Sequence, residues 1–309
     1  MPLIVTGTIG IDTIHTPFAK VEKVLGGSCT YFAAAASFFT KVRMVAAVGG
    51  DFLDEYRRVL AAFPNIDISG LELRPTSRTF AWGGRYFEDW NTRETIFTEL
   101  GVLAEHPPKP PPQFRDSRFV FLANSHPKVQ SEMLASFPQR LIAVADTMNM
   151  WIETTRDELL ALLRNLDGLI VNDEEARMLT GRRHLVAAGR HIIENLGPMF
   201  VVIKKGEHGS LLVHDQGIAM LPAFPTENVV DPTGAGDAFA GGMMGHLAAS
   251  HGGRSGDLNI SLASIQQAMA HGTIIASFAI ESFSLDRLAR LTKEEVARRY
   301  SDFAEMVKL

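Results

Sequence analysis

Sulfur chemistry is nearly absent from this chain, which has a single cysteine, Cys29, among 309 residues. One thiol can form no intramolecular disulfide and no cysteine zinc site, and such sparing use fits a reducing compartment. Positive charge is not in surplus either. Thirty Lys and Arg against 35 Asp and Glu leave a net charge of −5, which repels a polyanion, so no nucleic-acid partner is expected. Histidine pairs at helical zinc spacing are missing, since His246 and His251 are five apart and His184 and His191 seven apart. The opening segment, Met1 to Gly10, is short, carries no charged side chain and runs into Asp12. That is the pattern of neither a signal peptide nor a membrane span, so a cytoplasmic protein without a membrane partner is expected. A hydrophobic share of 46% and a charged share of 21% are ordinary for a folded globular protein with a substantial core.

The order of apolar runs sets the fold class. Leu3-Ile4-Val5 reads as a buried strand ending at a glycine turn, Cys29 to Phe39 as a close-packed helix, and Val42 to Val48 as the next strand. Strand-like runs recur at Phe119 to Leu122, Leu141 to Ala145, Gly168 to Val171 and Met199 to Ile203, with helical patterns such as Asp157 to Leu166 between them. Alternation of this kind predicts an α/β fold with a mainly parallel sheet. Asp146 and Asn172 fall at strand ends, where open sheets of this class place ligand-binding groups. Between Thr79 and Thr98, aromatics interleave with charges around Gly83-Gly84, which predicts an antiparallel flap with the glycines in its turn. His106 to Pro112, with five prolines in seven residues, reads as an extended linker.

The richest string is Asp231-Pro232-Thr233-Gly234-Ala235-Gly236-Asp237-Ala238-Phe239-Ala240-Gly241-Gly242. Pro232 stiffens the entry, and Gly234 and Gly236 leave no side chain to block an anion from the backbone. The amides of Ala235, Gly236 and Asp237 can converge on that anion at a helix amino terminus, where the helix dipole adds to them. Asp237 stands beside it with the chemistry of a general base. Close helix-to-sheet packing would explain Gly241-Gly242 without any ligand, but not the whole string. Lys204 and Lys205, after an apolar strand, either neutralise phosphate or are merely solvated.

This string resembles the second signature of the PfkB-type, or ribokinase-like, carbohydrate and nucleoside kinases, and the chain matches that family from end to end. The resemblance implies a single domain over residues 1–309, a three-layer fold with a mainly parallel central sheet, and a small β-sheet lid near 12–24 and 78–101. It implies transfer of the γ-phosphate of ATP to a sugar-like hydroxyl, with Asp237 as base and Gly234, Ala235 and Gly236 as the anion hole. Gly7-Thr8-Ile9-Gly10-Ile11-Asp12 resembles the family's first strand and turn, which gives Asp12, Gly26 and Gly27 to the acceptor. Asn172-Asp173-Glu174-Glu175 resembles its Asn-x-x-Glu motif, giving Asn172 and Glu175 to Mg²⁺ through water, although the same residues suit a helix start. Gly206 resembles the nucleotide loop, and Thr233 is likewise implied at the nucleotide. Asp231 and Thr233 match positions near a monovalent cation, so K⁺ is an implied activator. A homodimer clasped through the lid also follows from the resemblance. Where many relatives have an Asn after Gly-Gly, this chain reads Ser28-Cys29-Thr30-Tyr31. A tyrosine offers a hydroxyl or a stacking ring, which opens the acceptor to a nucleoside, an inositol or a differently oriented sugar. A nucleoside kinase and a silent nucleotide and sugar sensor are the alternatives.

Overall fold

The computed structural model describes residues 2–90, 92–251 and 260–308. Thirteen strands are described: β1 Leu3–Thr6, β2 Gly10–His15, β3 Lys20–Gly26, β4 Val42–Gly49, β5 Ile66–Arg74, β6 Phe80–Tyr86, β7 Arg93–Glu99, β8 Phe119–Leu122, β9 Ile142–Asp146, β10 Gly168–Asn172, β11 Phe200–Lys204, β12 Ser210–His214 and β13 Gly217–Leu221. Nine form one sheet in the order β13-β12-β11-β10-β9-β8-β1-β4-β5. Its pairs are parallel from β5 to β11 and antiparallel for β12 and β13.

The continuous apolar runs have a direct cause in this sheet. Side chains alternate between faces along a strand, and here both faces are covered. Leu3 and Val5 of β1, Phe119 and Phe121 of β8, and Phe200 and Val202 of β11 enter one core, while Ile4, Val120, Val201 and Ile203 enter the other. The helices Ser28–Ala36, Ala235–His251 and Leu262–Ala279 cover the first face, and the helices between β8 and β11 cover the second. The three layers follow. The chain winds from β1 outward to β4 and β5, then returns to β8 and winds the other way. The sheet therefore reverses between β1 and β8, and open sheets of this class bind ligands at such a reversal, outside the carboxyl ends of their strands.

The other four strands form a small sheet, ordered β3-β2-β6-β7. β6 and β7 are antiparallel, as the flap requires, but β2 and β6 at its centre are parallel. Gly83 and Gly84 are not the turn. They lie inside β6 at a register shift, where a Cβ on Gly83 would overlap Phe97 and one on Gly84 would overlap Trp82. Their smallness makes room for aromatic side chains across the sheet rather than for a chain reversal. The proline segment leaves β5's neighbourhood tied rather than free, since Arg74 donates to the His106 carbonyl at 2.7 Å.

Gly241 and Gly242 do answer to packing. A Cβ on Gly241 would overlap the Phe32 carbonyl, and one on Gly242 would come within 3.0 Å of Gly272 Cα. Helix Ala235–His251 is thereby held against both of its neighbours at backbone distance. Gly241→Ala is expected to lower unfolding stability by about 1–3 kcal/mol through overpacking, read as a reduced urea midpoint with an unchanged slope.

Candidate active site

Parallel register brings the ends of β1, β8, β9, β10 and β11 to one edge of the large sheet, so Asp146, Asn172 and Lys204 share it. The helix Ala235–His251 aims its amino terminus at the same edge. Its approach is shaped by local bonds. Thr233 N donates to Asp231 Oδ1 at 2.8 Å, Ala235 N to the Pro232 carbonyl at 3.1 Å, and Ala238 N to the Gly234 carbonyl at 2.8 Å. Gly234 has φ +76°, and a Cβ there would overlap the Tyr31 ring, so only glycine serves. Of the three amides expected to face an anion, Ala235's is thus already shared with Pro232. Gly236 and Asp237, without helical carbonyls four residues back, are the two left to face it.

Lys204 Nζ lies 2.7 Å from the point a Cβ on Gly236 would occupy. An ammonium therefore stands over the first turn of the helix. Burial raises the Asp237 carboxyl, while Lys204 and Arg93 pull it back down. Lys204 acts in the same sense on Asp146 and Glu175, both buried and both raised chiefly by desolvation.

Asp12, on β2, is 3% exposed. Burial, together with the charges of Asp231 and Asp237, lifts its carboxyl to about 7, against hydrogen bonds from the Trp82 and Gly27 amides. Asp231, fully buried, is lifted to about 6, mainly by desolvation, with Thr233 opposing. Gly26 lies against Asp12, where a Cβ would overlap its carboxylate. The chain is fastened there by Thr8 and Ser28, each of whose amides donates to the other's hydroxyl, at 3.2 and 3.1 Å.

Asn172 and Glu175 form a reciprocal cap, Glu175 N donating to Asn172 Oδ1 and Asn172 N to Glu175 Oε2, each at 2.7 Å. The helix-start reading therefore holds, and it holds Glu175 near Lys204. Among the described residues no three His, Cys, Asp or Glu side chains are grouped to cage a metal. Asp146, whose buried Oδ1 has no partner, and Glu175 offer oxygen donors of the kind that binds Mg²⁺ with water and phosphate completing the shell. Gly206, at φ +56°, opens the exposed turn Gly206–His208 two residues past Lys204, at the rim rather than in the cluster.

The small sheet reaches this site. Thr233 Oγ1 donates to Tyr86 OH at 3.2 Å, and Arg93, paired opposite Tyr86 in β7, also hydrogen-bonds that phenol. Nothing in sequence spacing signals Tyr86 or Arg93, which come from another sheet. Asp146 and Lys204 carried only the faint signal of standing at strand ends.

The raised carboxyl of Asp12 fixes a sign. Its folded value lies above the unfolded 3.8, so its stabilising contribution is present below about pH 4 and is lost as pH rises through 7. Asp12→Asn is expected to raise the melting temperature at pH 8, by the equivalent of up to roughly 4 kcal/mol, and to change it little at pH 4. Melting curves across that range check the sign.

The chain is similar to several known proteins. A cytidine kinase from Thermococcus kodakarensis is 31% identical over 250 residues, covering 79% of this chain and 87% of that protein. The structure of a nucleoside kinase from Methanocaldococcus jannaschii superposes with a TM-score of 0.76 at 20% identity, covering 97% and 98% of the two chains. A ribokinase II from E. coli, solved with ATP and Mg²⁺, superposes with a TM-score of 0.74 at 16% identity, covering 98% and 100%. Residues 9–288 match the model of the pfkB family carbohydrate kinases. With this match over most of its length, the chain belongs to the pfkB family and is a phosphotransferase.

Proposed function

We propose that the protein transfers the γ-phosphoryl group of ATP to a hydroxyl of a ribosyl compound, a nucleoside foremost. The observation that carries this is the juxtaposition of Asp237, the unshared amides of its helix turn, and the Lys204 ammonium over Gly236. The similarity to a cytidine kinase supports the nucleoside as acceptor.

In this reading the acceptor hydroxyl gives its proton to Asp237 as its oxygen bonds to the γ-phosphorus. The bond from that phosphorus to the bridging oxygen breaks, and ADP leaves. Charge on the transferring group is met by the amides of Gly236 and Asp237, the helix dipole and Lys204, all oriented beforehand. Gly234 and Ala235 shape the turn, while Thr233 and Gly206 border the nucleotide. Mg²⁺, held by Glu175 and Asp146 through water with Asn172 fixing Glu175, supplies neutralisation of the phosphates. Asp12, Gly26 and Gly27 hold the acceptor. K⁺ activation belongs to the same proposal, with Asp231 and Thr233 as its neighbours.

Residues 10–26 and 80–99 serve here as a lid that excludes water during transfer. The Tyr86 to Thr233 hydrogen bond supports this, since it joins the small sheet to the glycine loop. Exposed apolar side chains on that sheet and its connections, with Phe18 at 82% exposure and Phe87 and Ile96 also exposed, suit a homodimer through the lid.

ADP release with Mg-ATP, with and without K⁺, across cytidine, inosine, adenosine, ribose and hexoses tests the acceptor. Asp237→Asn is expected to bind ATP and to lose about 10²-fold or more in turnover; near-normal turnover would exclude the base. Because Lys204 favours the ionised form of Asp237, Lys204→Ala is expected to shift the acid limb of kcat/KM to higher pH, so activity falls more at pH 6 than at pH 8. An unmoved limb would remove Lys204 from this role.

A further inference from the structure

Tyr31 is 1% exposed, yet its hydroxyl has no hydrogen-bond partner among the described residues. A buried donor left in that state is destabilising, and the penalty is relieved when a ligand supplies the partner. Two other sealed atoms nearby are in the same condition, Asp12 Oδ1 and Asp231 Oδ2. Burial first, then the charges of Asp231 and Asp12 with Tyr86 and Asp237, pushes the ionisation of the phenol well up, so it remains a proton donor. The three unpaired atoms thus lie in one buried, polar region beside the base.

The ring of Tyr31 is already engaged. A Cβ on Gly234 would overlap its Cγ, Cδ1 and Cδ2, so the glycine loop rests against the ring itself. With Gly234 against the ring and the residue only 1% exposed, the hydroxyl is the part of Tyr31 left without a partner. A neutral phenol donor beside carboxylate acceptors is the pattern that a hydroxyl group satisfies, since each hydroxyl both accepts and donates.

We propose that Tyr31 determines acceptor specificity, its hydroxyl donating to a ribose hydroxyl oxygen whose own proton is accepted by Asp12, so that the pair reads a diol beside the hydroxyl presented to Asp237. This rests on the ribosyl acceptor named above. Because the same ring supports Gly234, a ligand held by the hydroxyl is also registered against the turn that faces the phosphoryl group.

Tyr31→Phe removes the hydroxyl and keeps the ring under Gly234. Calorimetric binding of cytidine, 2′-deoxycytidine and 3′-deoxycytidine, each with Mg-ADP present, is measured on wild type and variant. Wild type is expected to bind one deoxy analogue about tenfold more weakly than cytidine. In Tyr31→Phe, cytidine falls to that level and the difference between the two ligands disappears. An equal deoxy penalty in both proteins, undiminished cytidine binding by the variant, or no cytidine binding by wild type would overturn the proposal. The melting temperature of Tyr31→Phe is expected to hold or rise, and a clear fall would overturn it too, by showing the hydroxyl to be structurally paired. Turnover on the same samples judges phosphotransfer separately, because binding without turnover removes the kinase reading and leaves the result for Tyr31 intact.

Discussion

Carboxylates are expensive to bury, and this fold gathers five of them, Asp12, Asp146, Glu175, Asp231 and Asp237, around one helix terminus. Desolvation is the leading cause of every raised value. What offsets it is local: the Lys204 ammonium between β11 and the helix, the Arg93 guanidinium from the small sheet, and backbone amides aimed at Asp12 and Asp231. Lys204 Nζ stands 2.7 Å from where a Cβ on Gly236 would be, so the glycine leaves the ammonium free to lie over the helix turn. Stability is given up around this helix terminus, which is how strain and unpaired polar atoms are distributed in working sites.

The large sheet makes that concentration affordable by separating duties. Its two faces are sealed by apolar side chains, so polar residues are pushed to the carboxyl edge. Helix Ala235–His251 is then fixed by its glycines against the neighbouring helices, which sets where its amino terminus ends. The same residue string thus acts twice, with Gly241 and Gly242 placing the helix and Gly234 and Gly236 clearing the turn. Tyr31 links the halves, since its ring meets Gly234 and its hydroxyl lies near the buried carboxylates of Asp231, Asp12 and Asp237.

The small sheet adds side chains that the large one lacks beside the glycine loop. Asp12 enters from β2 and Tyr86 from β6, so a carboxylate and a phenol from one sheet stand near the loop together. Arg93 follows because β7 pairs with β6 in a register that places it opposite Tyr86. A shift of one residue would turn Arg93 to the other face.

Strand and helix order, the two-faced core and the glycine turn before a helix were legible in the sequence because they depend on local periodicity and on residues adjacent in the chain. The antiparallel pairing of β6 with β7 was legible for the same reason, whereas Gly83-Gly84 misled, since a glycine pair clears space for aromatics as readily as it makes a turn. Asp237 and Asp12 could be named from their motifs, but not their meeting, which needs a sheet of four strands drawn from distant parts of the chain. Which of Lys204 and Lys205 faces the helix was decided by strand alternation at the end of β11 and by the position of the helix across it. The contact of Gly234 with the Tyr31 ring was likewise decided by the tertiary fold, since the two are distant in the chain. Sequence alone determined the chemistry available and the elements that carry it; the tertiary structure decided which groups share a buried space, and hence which charges, amides and hydroxyls act together.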